Sequence, residues 1–122
     1  MEELILIYNI KDSDRLEKVR KALQPLKIKI KKVDKKDYKL PILRLLTGKL
    51  AVETEKYEGD ELLDEMLVMS VQPQQIDKIL TSFKTEGIYF PYKAVVTAKN
   101  SLWDSLKLFN ELQREHEAMK RI

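Results

Sequence analysis

Glu3-Leu-Ile-Leu-Ile-Tyr-Asn9 decides the fold, because its consecutive residues Leu4 to Tyr8 are all apolar. Successive strand side chains face opposite sides of a sheet, so an unbroken apolar run is buried on both faces and lies centrally. Met66-Leu-Val-Met-Ser-Val71 has the same character. Lys27-Ile-Lys-Ile-Lys31 instead alternates strictly, isoleucine on one face and lysine on the other. That is a half-buried strand, and its lysines suit a sheet edge. Tyr92-Lys-Ala-Val-Val-Thr97 is the fourth strand.

Helices fill the intervals. Ser13 or Asp14 is placed to cap a helix whose stripe runs Leu16, Val19, Ala22, Leu23, and Pro25 ends it. Leu40 to Leu46 is a short apolar helix with Pro41 in its first turn and Gly48 beyond its end. Pro73 opens a helix carrying Ile76, Ile79, Leu80 and Phe83, closed by Gly87. Asn100 or Ser101 is expected to cap the last helix, with Leu102, Leu106, Phe109, Leu112, His116 and Met119 along one stripe. A shift of about sixty residues sets Leu16, Val19 and Leu23 over Ile76, Ile79 and Phe83, although βαβ units resemble each other without duplication.

The order βαβα, twice over, predicts an α/β fold. It is a four-stranded, mainly parallel sheet in the order 2-1-3-4, with helices on both faces. The alternative is a ferredoxin-like α+β sheet, which needs strands two and three as neighbours. The 122 residues read as one domain. It divides into a basic βαβα half at 1–49, an acidic connector at 50–65 and a second βαβα half at 66–122.

Composition narrows the chemistry. With no Cys there is no disulfide scaffold, thiolate metal site or cysteine nucleophile. The apolar run Leu4–Tyr8 is too short for a membrane span or signal core, so a cytoplasmic protein is expected. Residues 11–49 hold fourteen Lys/Arg against five Asp/Glu, whereas residues 50–122 hold nine against thirteen. Such a split suggests an anionic partner, or two halves that complement each other.

In a parallel sheet of this order, ligands favour the crevice beyond the C-terminal ends of strands one and three. Asn9, Lys11 and Asp12 would lie on one side of it and Gln72 on the other, with Thr97, Lys99 and Asn100 nearby. Helix capping explains the Asp, Asn and Thr residues without any ligand, and is the preferred reading. Gly48, Gly59 and Gly87 are too scattered for a phosphate loop. His116, the single histidine, falls on an apolar stripe as a packed residue rather than a metal ligand, and no metal or cofactor is expected. Lys27, Lys29, Lys31, Lys32, Lys35 and Lys36 form a basic patch that could meet phosphates. The run lacks arginine and has one aromatic, Tyr38, so a lysine-guarded edge strand followed by a solvated loop is the preferred reading. Trp103 lies beside the main stripe of its helix, either packed under the preceding loop or serving as a contact residue.

Lys93-Ala-Val-Val-Thr97, Asn100, Trp103 and Glu115, followed through a Leu-rich helix to His116, resemble an uncharacterised prokaryotic family, domain of unknown function family 3783. The resemblance covers roughly residues 66–118 and leaves the basic half unexplained. It implies the βαβα arrangement and no known activity, and it makes Lys93, Thr97, Asn100 and Trp103 the cluster to examine. The reading that results is a small bacterial-type binding domain, not an enzyme, engaging a protein partner or its own copy. A phosphate-rich ligand or nucleic acid on the basic half is the first alternative. A carboxylate–lysine enzyme site at the crevice is the second.

Overall fold

The structure, a computed structural model, describes residues 3–48 and 55–120. Residues 49–54, the start of the expected acidic connector, lie outside the described residues, as do both chain ends. Strands β1 (Leu4–Tyr8), β2 (Lys29–Lys32), β3 (Met66–Ser70) and β4 (Lys93–Val95) form one sheet in the order β2-β1-β3-β4. Order and edges match the sequence reading. Strands two and three are not neighbours, so the ferredoxin-like alternative fails.

One expectation is corrected. β1 pairs with β2, and β3 with β4, in parallel, but β1 and β3 run antiparallel. The sheet is therefore mixed. Each βαβ crossover demands a parallel pair, whereas the join between the two halves passes through a long connector and is free to run either way. Leu6 faces Val68 at the middle of the central pair.

Helices α1 (Ser13–Leu23) and α3 (Pro73–Thr85) cover one face, where Val19, Leu23, Ile79 and Phe83 pack on Ile5, Ile7, Leu67 and Met69. Helices α2 (Ile42–Thr47) and α4 (Ser105–Lys120) cover the other, enclosing a lower core over Leu6, Tyr8, Met66 and Val68. The doubly apolar strands thus fill two cores. Asp12, rather than Ser13 or Asp14, caps α1, accepting from the amides of Asp14 and Arg15. Gly48 (φ +69°) and Gly87 (φ +72°) follow α2 and α3 in the left-handed conformation that halts a helix. No helix among the described residues is long and apolar enough to cross a membrane.

The two halves meet reciprocally. Each has a short 3₁₀ turn before its last helix, Lys35–Asp37 and Asn100–Leu102, ended by Tyr38 and Trp103. The Trp103 carbonyl accepts the amide of Ile42, the first residue of α2, at 2.8 Å, and the Tyr38 carbonyl accepts that of Ser105, the first residue of α4, at 3.1 Å. Pro41 and Asp104, which precede those helices, form a bridge with each other. On the opposite face, Arg15 at the start of α1 binds Glu65, just before β3, and Gln75 at the start of α3 binds Glu3, just before β1. These exchanges describe a pseudo-twofold axis normal to the sheet at the Leu6–Val68 pair.

Candidate functional site

The antiparallel centre removes the expected crevice. The C-terminal ends of β1 and β3 point to opposite edges of the sheet, so Asn9, Lys11 and Asp12 are not brought to Gln72. Asn9, at φ +60°, donates from Nδ2 to the Leu62 carbonyl, while its Oδ1 is buried without a hydrogen-bond partner. Asp12 is a helix cap and Lys11 is exposed. The Gln72 amide donates to Glu3 Oε2 at 2.9 Å, and Gln75 Nε2 donates to Glu3 Oε1 at 3.0 Å. These hydrogen bonds hold the Glu3 carboxyl below its ordinary range. The start of α3 is thus already occupied by the chain's own carboxylate.

The residues after β4 do come together. Asn100 closes the turn: its Oδ1 accepts the Thr97 amide at 2.8 Å and its Nδ2 donates to the Val95 carbonyl at 3.0 Å. Thr97 Oγ1 in return accepts the Asn100 amide, and the Thr97 carbonyl accepts that of Ser101. The Thr97 and Asn100 side chains and the Thr97, Asn100 and Ser101 amides are thus engaged within the chain. Asn100 and Ser101 therefore do not cap α4, contrary to the sequence expectation. The chain makes its 3₁₀ turn first, and Asp104 then caps the helix by accepting the Lys107 amide at 2.8 Å.

Lys93, Thr97, Lys99, Asn100 and Trp103 all line one cleft of about 280 Å³ between β4 and α4. Leu108, Leu112, Glu111 and Glu115 form its helical wall. Trp103 is half-buried, packed on the lower core along one side. Lys99 Nζ lies 5.9 Å and Lys107 Nζ 5.0 Å from its ring centroid, both within cation–π range. Lys93 donates to the Phe90 carbonyl at 2.9 Å and lies 5.1 Å from the Tyr89 ring. It thereby borders a second, apolar cleft of about 380 Å³ formed with Leu80, Phe83 and Tyr89. His116 packs on Tyr92, centroids 5.3 Å apart, as a packed histidine should.

The basic patch is dispersed in its roles. Lys27, Lys29, Lys32, Lys35 and Lys36 are exposed, and Lys27 takes a left-handed conformation (φ +57°) at the end of a 3₁₀ turn. Lys31 reaches across the sheet to donate to the Leu45 carbonyl at 2.9 Å, closing the end of α2. The acidic connector partly neutralises this half: Glu55 pairs with Lys39 at 3.4 Å, and Glu61 accepts from the Tyr38 hydroxyl.

Two polar arrangements escaped the sequence reading. Tyr8 hydrogen-bonds Ser105 at 2.7 Å in full burial, beside Tyr38 with its rings 5.7 Å away. Burial pushes both phenols well above the ordinary tyrosine range, and in Tyr38 the Glu61 carboxylate pushes further. Arg15 Nε binds both oxygens of Glu65 at 2.7 and 2.9 Å, with its guanidinium 4.6 Å over Phe90. The hydroxyl of Tyr8, within an apolar strand, was the available signal for the first. The second pairs residues fifty apart with no local signature.

Among the described residues no three His, Asp or Glu groups gather as a metal site requires. No curated protein and no solved structure matches the chain significantly. A family model does match, over residues 65–119, and those residues run from the entry to β3 through almost all of α4, taking in every wall of the Trp103 cleft. This C-terminal βαβα unit therefore matches the family described as Domain of unknown function (DUF3783).

Proposed function

We propose that the protein is a binding module that takes a polypeptide ligand in the cleft beside Trp103. The observation that carries this reading is Trp103 itself: a large aromatic face left half open between two lysines, beside a cleft that Ala94, Val95, Leu108 and Leu112 also line. Tryptophan surfaces of this kind concentrate binding energy at protein interfaces, because they bury much apolar area at small entropic cost. A polypeptide is preferred to a phosphate ligand because the Thr97, Asn100 and Ser101 amides of the turn already have acceptors within the chain. It is preferred to catalysis because Lys93 is engaged with the Phe90 carbonyl and Lys99 with the Trp103 ring, and among the described residues neither pairs with Glu111 or Glu115.

The test is a random-peptide display selection against the wild-type protein, with Trp103→Ala as counter-selection. Enriched peptides should bind the wild type with micromolar affinity and lose about tenfold or more on Trp103→Ala, as a central aromatic contact does. Enrichment of peptides bound equally by both proteins defeats the reading. Retention on heparin that persists in Trp103→Ala and falls with salt would favour the basic half and a phosphate-rich ligand instead.

A further inference from the structure

The pseudo-twofold axis gives the Trp103 cleft an internal counterpart. Tyr38 and Trp103 each end a three-residue 3₁₀ turn, and each lends its carbonyl to the first amide of the other half's last helix. At Tyr38 the position is filled. Tyr57 stacks on it with centroids 5.9 Å apart, the Tyr57 amide donates to the Lys36 carbonyl of the turn at 3.1 Å, and Glu61 accepts the Tyr38 hydroxyl. Glu55 pairs with Lys39 beside it. An acidic segment with one central tyrosine thus covers the first aromatic, which is 1% exposed. Among the described residues no chain segment covers the second. Lys99 and Lys107 flank Trp103, and among the described residues neither is in an ion pair.

We infer that the Trp103 cleft accepts an acidic peptide segment carrying an aromatic residue, seated as residues 55–62 are seated at Tyr38; this rests on the polypeptide-binding reading above and names its ligand class. The aromatic residue stacks on Trp103, where ring pairs gain beyond their buried area. Its flanking carboxylates meet Lys99 and Lys107. Glu111 and Glu115 lie farther along the α4 wall, with Lys93 across from that wall on β4, so the carboxylates of the cleft are confined to its α4 side and away from Trp103, which orients the bound segment.

The probe is a synthetic peptide of residues 55–62, Glu-Lys-Tyr-Glu-Gly-Asp-Glu-Leu, titrated into the full chain. Trp103 is the sole tryptophan, so its emission reports this cleft and not displacement at Tyr38. A saturable change in emission is expected, with a Kd on the order of 100 μM or below. It should weaken about tenfold when the peptide tyrosine becomes alanine, and comparably in Lys107→Glu protein, with binding falling as salt rises. Nuclear magnetic resonance titration of the β4–α4 amides guards against a silent chromophore. No saturable response by either method up to about 1 mM overturns the proposal. So does equal affinity for a peptide with its acids replaced by lysine. Blue-shifted emission on concentration alone, with a dimer in sedimentation, overturns it in favour of a second copy. Display-selected peptides that need Trp103 but lack acidic or aromatic residues would sink this inference and leave the binding reading standing.

Discussion

Tyr38 and Trp103 stand at matching points of two βαβα units, and what surrounds them differs in one respect. The first half ends in a helix of six residues, the second in one of sixteen. A six-residue helix is too short to wall its own side of the sheet, so the connector folds back over Tyr38 and completes the lower core with Tyr57 and Leu62. The long α4 walls its side unaided and leaves Trp103 half open beneath it. One architecture thus yields a sealed aromatic and a half-open one.

The comparison breaks most readily at the two rings. Tyr38→Ala should cost about 4 kcal/mol in urea unfolding, since it empties a fully buried ring site and strands the Glu61 hydrogen bond. Trp103→Ala should cost about 2 kcal/mol, because roughly half as much of its surface leaves water. Equal losses at the two positions would mean that Trp103 is a core residue and that the contrast is illusory.

A second contrast lies in the turns. Asn100→Ala removes two side-chain hydrogen bonds that hold the β4 exit, from a residue that is nearly buried, and should cost about 2 kcal/mol. Asp34→Ala removes one exposed cap from the corresponding turn and should cost about 1 kcal/mol. Thermal and urea unfolding of the pair measure the difference. If Asp34→Ala proves the costlier, the first turn and not the second is the one that depends on its side-chain cap.

Strand order and edges were legible because burial leaves a direct trace: Leu4–Tyr8 and Met66–Val71 had to be central, and the Lys29–Lys31 alternation had to be an edge. Direction across β1 and β3 was not legible. Period-2 patterning is the same for either direction, and no short loop joins these strands. The cluster Lys93, Thr97, Lys99, Asn100 and Trp103 was found because it is contiguous in sequence, and one turn gathers it. The pairing of Asn9 and Lys11 with Gln72 failed because it depended on strand direction alone. Tyr38 stands in sequence among lysines, with nothing local to mark it. Its importance comes from Tyr8, Tyr57 and Glu61, whose proximity only the folded chain creates.

The reciprocal contacts on the α1/α3 face sharpen the comparison further. Arg15→Ala removes two charge-assisted bonds to Glu65, a bond to the Tyr89 carbonyl and the contact with Phe90. With the pair partly exposed, the loss should be about 1.5 kcal/mol and should shrink in high salt. A neutral loss would reduce the pair to a surface ornament, as many exposed ion pairs are.

Glu3 and Gln75 form the counterpart, and there the expected effect is smallest and depends on pH. The Glu3 carboxylate accepts from Gln75 and from the Gln72 amide, which favours its charged form and lowers its pKa below the ordinary 4.5. A carboxyl with a lower pKa folded than unfolded binds fewer protons in the native state. Its contribution is therefore full above about pH 4.5 and is lost as pH falls through the folded value. Glu3→Gln keeps an acceptor but cannot titrate. Wild type should exceed Glu3→Gln in stability at about pH 6.5 by a small margin, and that margin should shrink as the pH is lowered to about 3. A margin unchanged between those two conditions would show that Glu3 acts through its shape and hydrogen-bonding alone. The start of α3 would then not be held by charge, and the reciprocity with Arg15 and Glu65 would be geometric rather than electrostatic.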